Sequence, residues 1–124
     1  MSRVFLSLAA ILAGLSVAAG AFASHALKER LTERALAIFE TGAKYQMYHA
    51  LALLGVALLL GREAGQTPLT LAGFAFILGI LIFSGSLYGL SLSGVKWLGA
   101  ITPLGGVAFL VGWGCLAIAA WTIK

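Results

Sequence analysis

The chain has 124 residues, of which 61% are hydrophobic and only 10% charged, and its mean hydropathy is +1.05. A soluble globular domain carries roughly 25% charged residues, so a water-soluble fold is excluded and a single all-α integral membrane domain is expected. The net charge of +4 comes from eight basic residues against four glutamates; scattered at the edges of apolar runs, the bases read as membrane anchors, which argues against a nucleic-acid partner.

A spanning helix needs about 20 apolar residues at about 1.5 Å rise each. Four segments supply them, at about residues 4–24, 43–60, 69–92 and 97–121. Within the first, Ala21-Phe22-Ala23 before Ser24 imitates a secretory cleavage site. The apolar stretch outruns the roughly 7 to 15 residues of a signal-peptide core, so a transmembrane helix is expected there. Ser16, Gly20 and Ser24 repeat at every fourth position, forming a small ridge of the kind that lets helices approach closely in lipid.

Between the first two spans lies the only long polar interruption. Leu27, Leu31, Ala35, Ile38 and Phe39 recur at helical spacing, with Lys28, Glu29, Arg30, Glu33, Arg34 and Glu40 on the other positions. This pattern predicts an amphipathic helix at the membrane surface over about 27–42. Glu40 and Lys44 are a favourable pair four residues apart, whereas Glu29 with Glu33 and Arg30 with Arg34 are like-charged at that spacing.

The second span opens on Lys44, Tyr45, Gln46, Tyr48 and His49, residue types that suit a headgroup boundary. With His25 at the end of the first span, a flat connecting helix would bring both histidines to one membrane face. His25, Tyr45, Gln46, Tyr48 and His49 are therefore the candidate ligand-binding residues, for a lipid headgroup or a small ligand. Two histidines with no clear third ligand do not make a metal site, and no catalytic residues or cofactor are expected.

Further along, Gly61 to Pro68 is a polar turn with two glycines and a proline, and Ser93 to Lys96 is shorter still. Such connections favour antiparallel neighbours, giving an up-down-up-down bundle. Ser84, Ser86, Tyr88, Ser91 and Ser93 make the second half of the third span its most polar part, expected to serve as interhelical glue or to bond its own backbone. Gly85, Gly89 and Ser93, and Ala108 with Gly112, extend the small-residue pattern, which also suits self-association into a homo-oligomer. Trp97 and Trp121 bracket the fourth span as an aromatic belt would, and Pro103 lies early in it. Cys115 is the only cysteine, so no internal disulfide can form.

Gly20-Ala-Phe-Ala-Ser-His-Ala-Leu-Lys28, Tyr45-Gln-Met-Tyr-His-Ala-Leu-Ala-Leu-Leu54, Phe83-Ser-Gly-Ser-Leu-Tyr88 and Leu98-Gly-Ala-Ile-Thr-Pro-Leu-Gly-Gly106 stand in this order. Together they resemble the markers of the domain-of-unknown-function family 423, whose animal relatives are called transmembrane protein 256. The likeness covers essentially the whole chain. It departs at one place, where family members often have glycine in the position of Ala23 or Ser24. The resemblance implies a small multi-span protein, in bacteria of the cytoplasmic membrane, and brings no activity with it.

The leading functional expectation is a binding, regulatory or assembly-supporting membrane protein. A small-solute or lipid transporter is the alternative; the small multidrug resistance proteins have this length and span number, but their coupling uses an intramembrane carboxylate, and here the glutamates lie outside the spans. An enzyme ranks lower, since no motif organises the few polar groups. Five bases flank one side of the bundle (Lys28, Arg30, Arg34, Lys44, Lys96) and three the other (Arg3, Arg62, Lys124). That bias predicts a cytoplasmic interruption and external termini.

Overall fold

The computed structural model describes residues 1–63 and 66–124, all of whose regular structure is helical. Helix α1 covers Ser2–His25, a short 3-10 turn Leu27–Glu29 follows, and α2 runs from Glu33 to Arg62. The third span is α3 (Thr67–Gly79), a π-helical turn (Ile80–Ser84) and α4 (Gly85–Ser93); α5 covers Leu98–Ala120. Four helices are thus long and apolar enough to cross a membrane. The polar turn after α2 lies partly outside the described residues, at 64–65.

The surface helix expected over 27–42 is not a separate element. The chain breaks at Arg30–Thr32, and α2 then continues without interruption for 30 residues into the second span. Thr32 explains the break. Its extended backbone and its side chain, which accepts from the Ala35 N–H at 3.1 Å, cap α2, the standard role of a β-hydroxyl residue at a helix start. The break also removes Glu29–Glu33 and Arg30–Arg34 from a shared helix. The apolar side of this segment packs inward, with Phe39 buried against Ala23 and Leu27 beside Tyr88.

In the apolar stretches of α1 and α5, 17% of residues are buried, against 50% in α2 and 44% in the third span. The bundle therefore has an inner pair, α2 and the third span, with α1 packed on α2 and α5 packed on the third span. Outward residues such as Leu6, Ile11, Leu104 and Leu110 are exposed, as expected of surfaces that face lipid.

Close contact in the core is made by rings set against glycines. A methyl group added at Gly73 would lie 2.1 Å from the Phe5 ring, one at Gly112 2.6 Å from Phe76, and one at Gly79 2.3 Å from Phe109. At Gly105 the obstacle is backbone, with the Phe83 nitrogen 2.4 Å away. Lipid offers no hydrophobic force between helices, so such fitted packing carries the association. The expected small ridges are used unevenly. Ser16 is buried and Gly89 meets Leu98, but nothing lies within 4 Å of a side chain added at Gly20 or Gly85.

Candidate functional site

A layer of polar and aromatic side chains crosses the middle of the bundle. Its reference point is Phe109, midway between Trp97 and Trp121 on α5, which stacks on His49 with ring centroids 3.5 Å apart and planes within 8°. His49 is buried, and both its nitrogens are engaged. The Trp113 indole N–H donates to His49 Nε2 at 3.1 Å, and His49 Nδ1 lies 2.8 Å from the Tyr45 carbonyl oxygen one turn earlier. An indole nitrogen is a donor only and a carbonyl an acceptor only. The network therefore selects the neutral tautomer with its proton on Nδ1, donating to Tyr45.

Gln46, buried one turn away, bridges three helices. Its Nε2 donates to the Leu12 carbonyl of α1 at 2.8 Å, and its Oε1 accepts from the Tyr88 hydroxyl of α4 at 2.7 Å. Ser16 donates to the Ala43 carbonyl at 2.6 Å, and Ser84, in the π-helical turn, donates to the Gly42 carbonyl at 2.7 Å. The third-span hydroxyls divide as their chemistry allows. Ser84, Ser86 and Tyr88 reach other helices, while Ser91 and Ser93 bond carbonyls of their own helix. Among the described residues, no buried side-chain nitrogen or oxygen lacks a partner, which is what an apolar solvent requires.

Tyr45, Tyr48 and His49 also line an outward-opening cavity of about 390 Å³ with Phe83, Phe109 and Trp113. Its floor is the third span and its walls are α2 and α5. Tyr45 packs on Phe83 with centroids 4.8 Å apart and on Tyr48 at 5.6 Å. Both tyrosines remain partly exposed, at 37% and 52%.

The structure thus sets three of the five expected site residues, Tyr45, Tyr48 and His49, around one cleft, turns Gln46 to α1 and α4, and leaves out His25. Ser16 sits opposite Ala43, and Leu12 opposite Gln46, on antiparallel helices. At about 1.5 Å per residue, His25 lies at one end of the bundle and His49 near its middle, roughly 20 Å apart along the axis. Lys44 to His49 are also not the first turns of a helix. Because α2 begins at Glu33, these residues fall in its middle. Trp113 and Phe109 were missed in the sequence. The available signal was a lone tryptophan inside an apolar run, whose N–H needs a buried partner.

Among the described residues, no three His, Cys, Asp or Glu side chains are grouped as metal ligands. Chemically, the layer offers a stacked, neutral imidazole and two accessible phenols beside an apolar cleft.

Residues 19–106 match the family model described as "Protein of unknown function (DUF423)". The chain belongs to the DUF423 family. It is 47% identical over 118 residues to the UPF0382 membrane protein YwdK of Bacillus subtilis, covering 95% of this chain and 96% of that one. A UPF0382 membrane protein of Staphylococcus epidermidis is 44% identical, with 94% of each chain covered. One from Haemophilus influenzae is 40% identical over 100% of this chain and 98% of its own. No solved structure matches the chain. This DUF423 member is accordingly a multi-pass membrane protein: its relatives are named membrane proteins, and its own four helices are long and apolar enough to cross a membrane.

Proposed function

We propose that this protein binds a membrane-soluble amphiphile in the seam between α2 and α5, acting as a lipid-binding component of the bacterial cytoplasmic membrane. The observation that carries this reading is the aromatic cleft of about 390 Å³ beside Tyr45, Tyr48 and His49, a size common among small-molecule sites. Its position at mid-bundle suits an apolar chain or ring, and Tyr48 and Trp113 provide flat surfaces for it. Gln46 and Trp113 hold the neighbouring frame, through Tyr88 and His49 respectively. A transporter finds less support, because the buried polar groups of the layer are committed to one another.

Gly106 gives a direct test. It lines the cleft, and a methyl group there would meet only Phe83 Cδ2, at 4.0 Å. Gly106→Leu should fill the cleft and deplete the lipid or other amphiphile that co-purifies with the wild type in mild detergent, as read by mass spectrometry. An unchanged co-purifying complement would overturn the reading.

The same proposal puts the Lys28-to-Lys96 end in the cytoplasm, on a positive-charge bias that becomes four bases (Lys28, Arg30, Arg34 and Lys96) against three once Lys44 lies inside α2. Glu63→Cys in a Cys115→Ser background should react with an impermeant maleimide from outside the cell. Reaction only from the cytoplasmic side would reverse the orientation.

A further inference from the structure

A second cavity, of about 600 Å³, opens between the start of α2, the end of α4 and the α4–α5 turn. Arg34 and Lys96 line it together with Thr32 and Ser91, and no carboxylate is among its lining residues. The sequence pattern gave neither base a role beyond anchoring. Their convergence is tertiary, since Thr32 starts α2 where Arg34 is in the first turn, while Gly94, left-handed at φ 73°, ends α4 and turns the chain toward Lys96.

Both cavities are walled by the same three elements: α2, the third span and α5. Ile38 and Gly99 line the cationic one; His49 and Leu110 line the aromatic one. On each of α2 and α5 these positions are eleven residues apart, a separation of about 16 Å along the helix. Half the hydrocarbon thickness of a bilayer is about 15 Å. With the aromatic cleft at the bilayer centre, this separation would set the cationic cavity at the edge of the hydrocarbon, next to the headgroups.

We propose that Arg34 and Lys96 bind the phosphate of an anionic phospholipid whose acyl chain follows the seam to the Tyr45–Trp113 cleft. This rests on the amphiphile-binding reading above and specifies its headgroup. Guanidinium and ammonium groups around one cavity match a phosphodiester. A zwitterionic choline head would instead bring its own cation against them.

Native mass spectrometry of the detergent-solubilised full chain, titrated with phosphatidylglycerol or phosphatidylcholine, tests the assignment. The wild type should prefer phosphatidylglycerol, and R34Q/K96Q should reduce that preference by about tenfold or more, given the usual contribution of bases near anionic lipid. K28Q/R30Q removes equal charge from residues outside the cavity and should leave the preference intact. Gly106→Leu should weaken both lipids alike. An unchanged preference in R34Q/K96Q, with both lipids weakened by Gly106→Leu, overturns the headgroup site and leaves the cleft reading standing. Loss of preference in R34Q/K96Q with no effect of Gly106→Leu overturns the cleft reading and, with it, the shared lipid. Displacement of phosphatidylglycerol by millimolar inorganic phosphate would mark the cationic cavity as a site for a soluble anion and overturn the lipid assignment. Circular dichroism of each variant establishes that it is folded.

Discussion

The two flanks of α2 are built on opposite plans. Toward α1, the helix is fastened by hydrogen bonds from side chains to backbone carbonyls, Ser16 to Ala43 and Gln46 to Leu12, beside a cavity of about 310 Å³ lined by Ser16, Gly20 and Met47. Toward α5, the contact is made between side chains, with His49 stacked on Phe109 and accepting from Trp113. Helix α5 is held by the third span through rings against glycines, and the space left between α5 and α2 holds the aromatic and cationic cavities. The difference teaches that a small bundle can fasten one outer helix through backbone carbonyls and the other through fitted rings, and keep lateral cavities while no buried side-chain nitrogen or oxygen among the described residues lacks a partner.

Breaking the α5 attachment should have the largest effect. In Gly105→Ala the new methyl would collide with Phe83 backbone, and the thermal midpoint in detergent should fall by the equivalent of about 1–3 kcal/mol. Gly106→Ala, next in sequence, should leave that midpoint nearly unchanged, because its side faces the cleft. Equal losses in the two variants would remove the distinction between a packed and an open face of α5.

The α1 flank should respond less. Gln46→Leu removes two interhelical partners, from Leu12 and Tyr88; membrane hydrogen bonds average about 0.6 kcal/mol each, so a destabilisation of about 1 kcal/mol is expected. It should come with increased proteolytic release of α1, and a variant as stable as the wild type would show that Gln46 does not fasten that flank. Ser16→Ala, which loses one bond to Ala43, should cost about half as much. The smallest effect belongs to Gly20→Ala. No atom lies within 4 Å of the added methyl, so monomer stability should not change, and a shift in oligomeric state on size exclusion would assign that face to self-association.

The expectation for residues 25–49 shows where reading along the chain stops. Amphipathic periodicity over 27–42 was correctly helical for Glu33 onward, but periodicity does not reveal whether a helix lies on a membrane or enters it. The decisive local cue was Thr32 followed by Glu33, a helix start. Once α2 begins there, Lys44 to His49 move from the interface to the middle of the bundle, and His49 parts from His25. The polar cluster was visible as residue types; its depth was a consequence of one capping residue.

Composition and the lengths of the apolar runs determined by themselves that this chain crosses a membrane four times as helices, because a bilayer accepts only segments that satisfy their own backbone. The family followed from local markers, which require no fold. Tertiary structure alone decided that His49 meets Trp113 and Phe109, that the π-helical turn aims Ser84 at Gly42, and that Arg34 meets Lys96 across a cavity. Those pairings join residues 42 to 64 positions apart. Their partners are chosen by which glycine admits which ring, a matter of shape between helices that no single helix's sequence records.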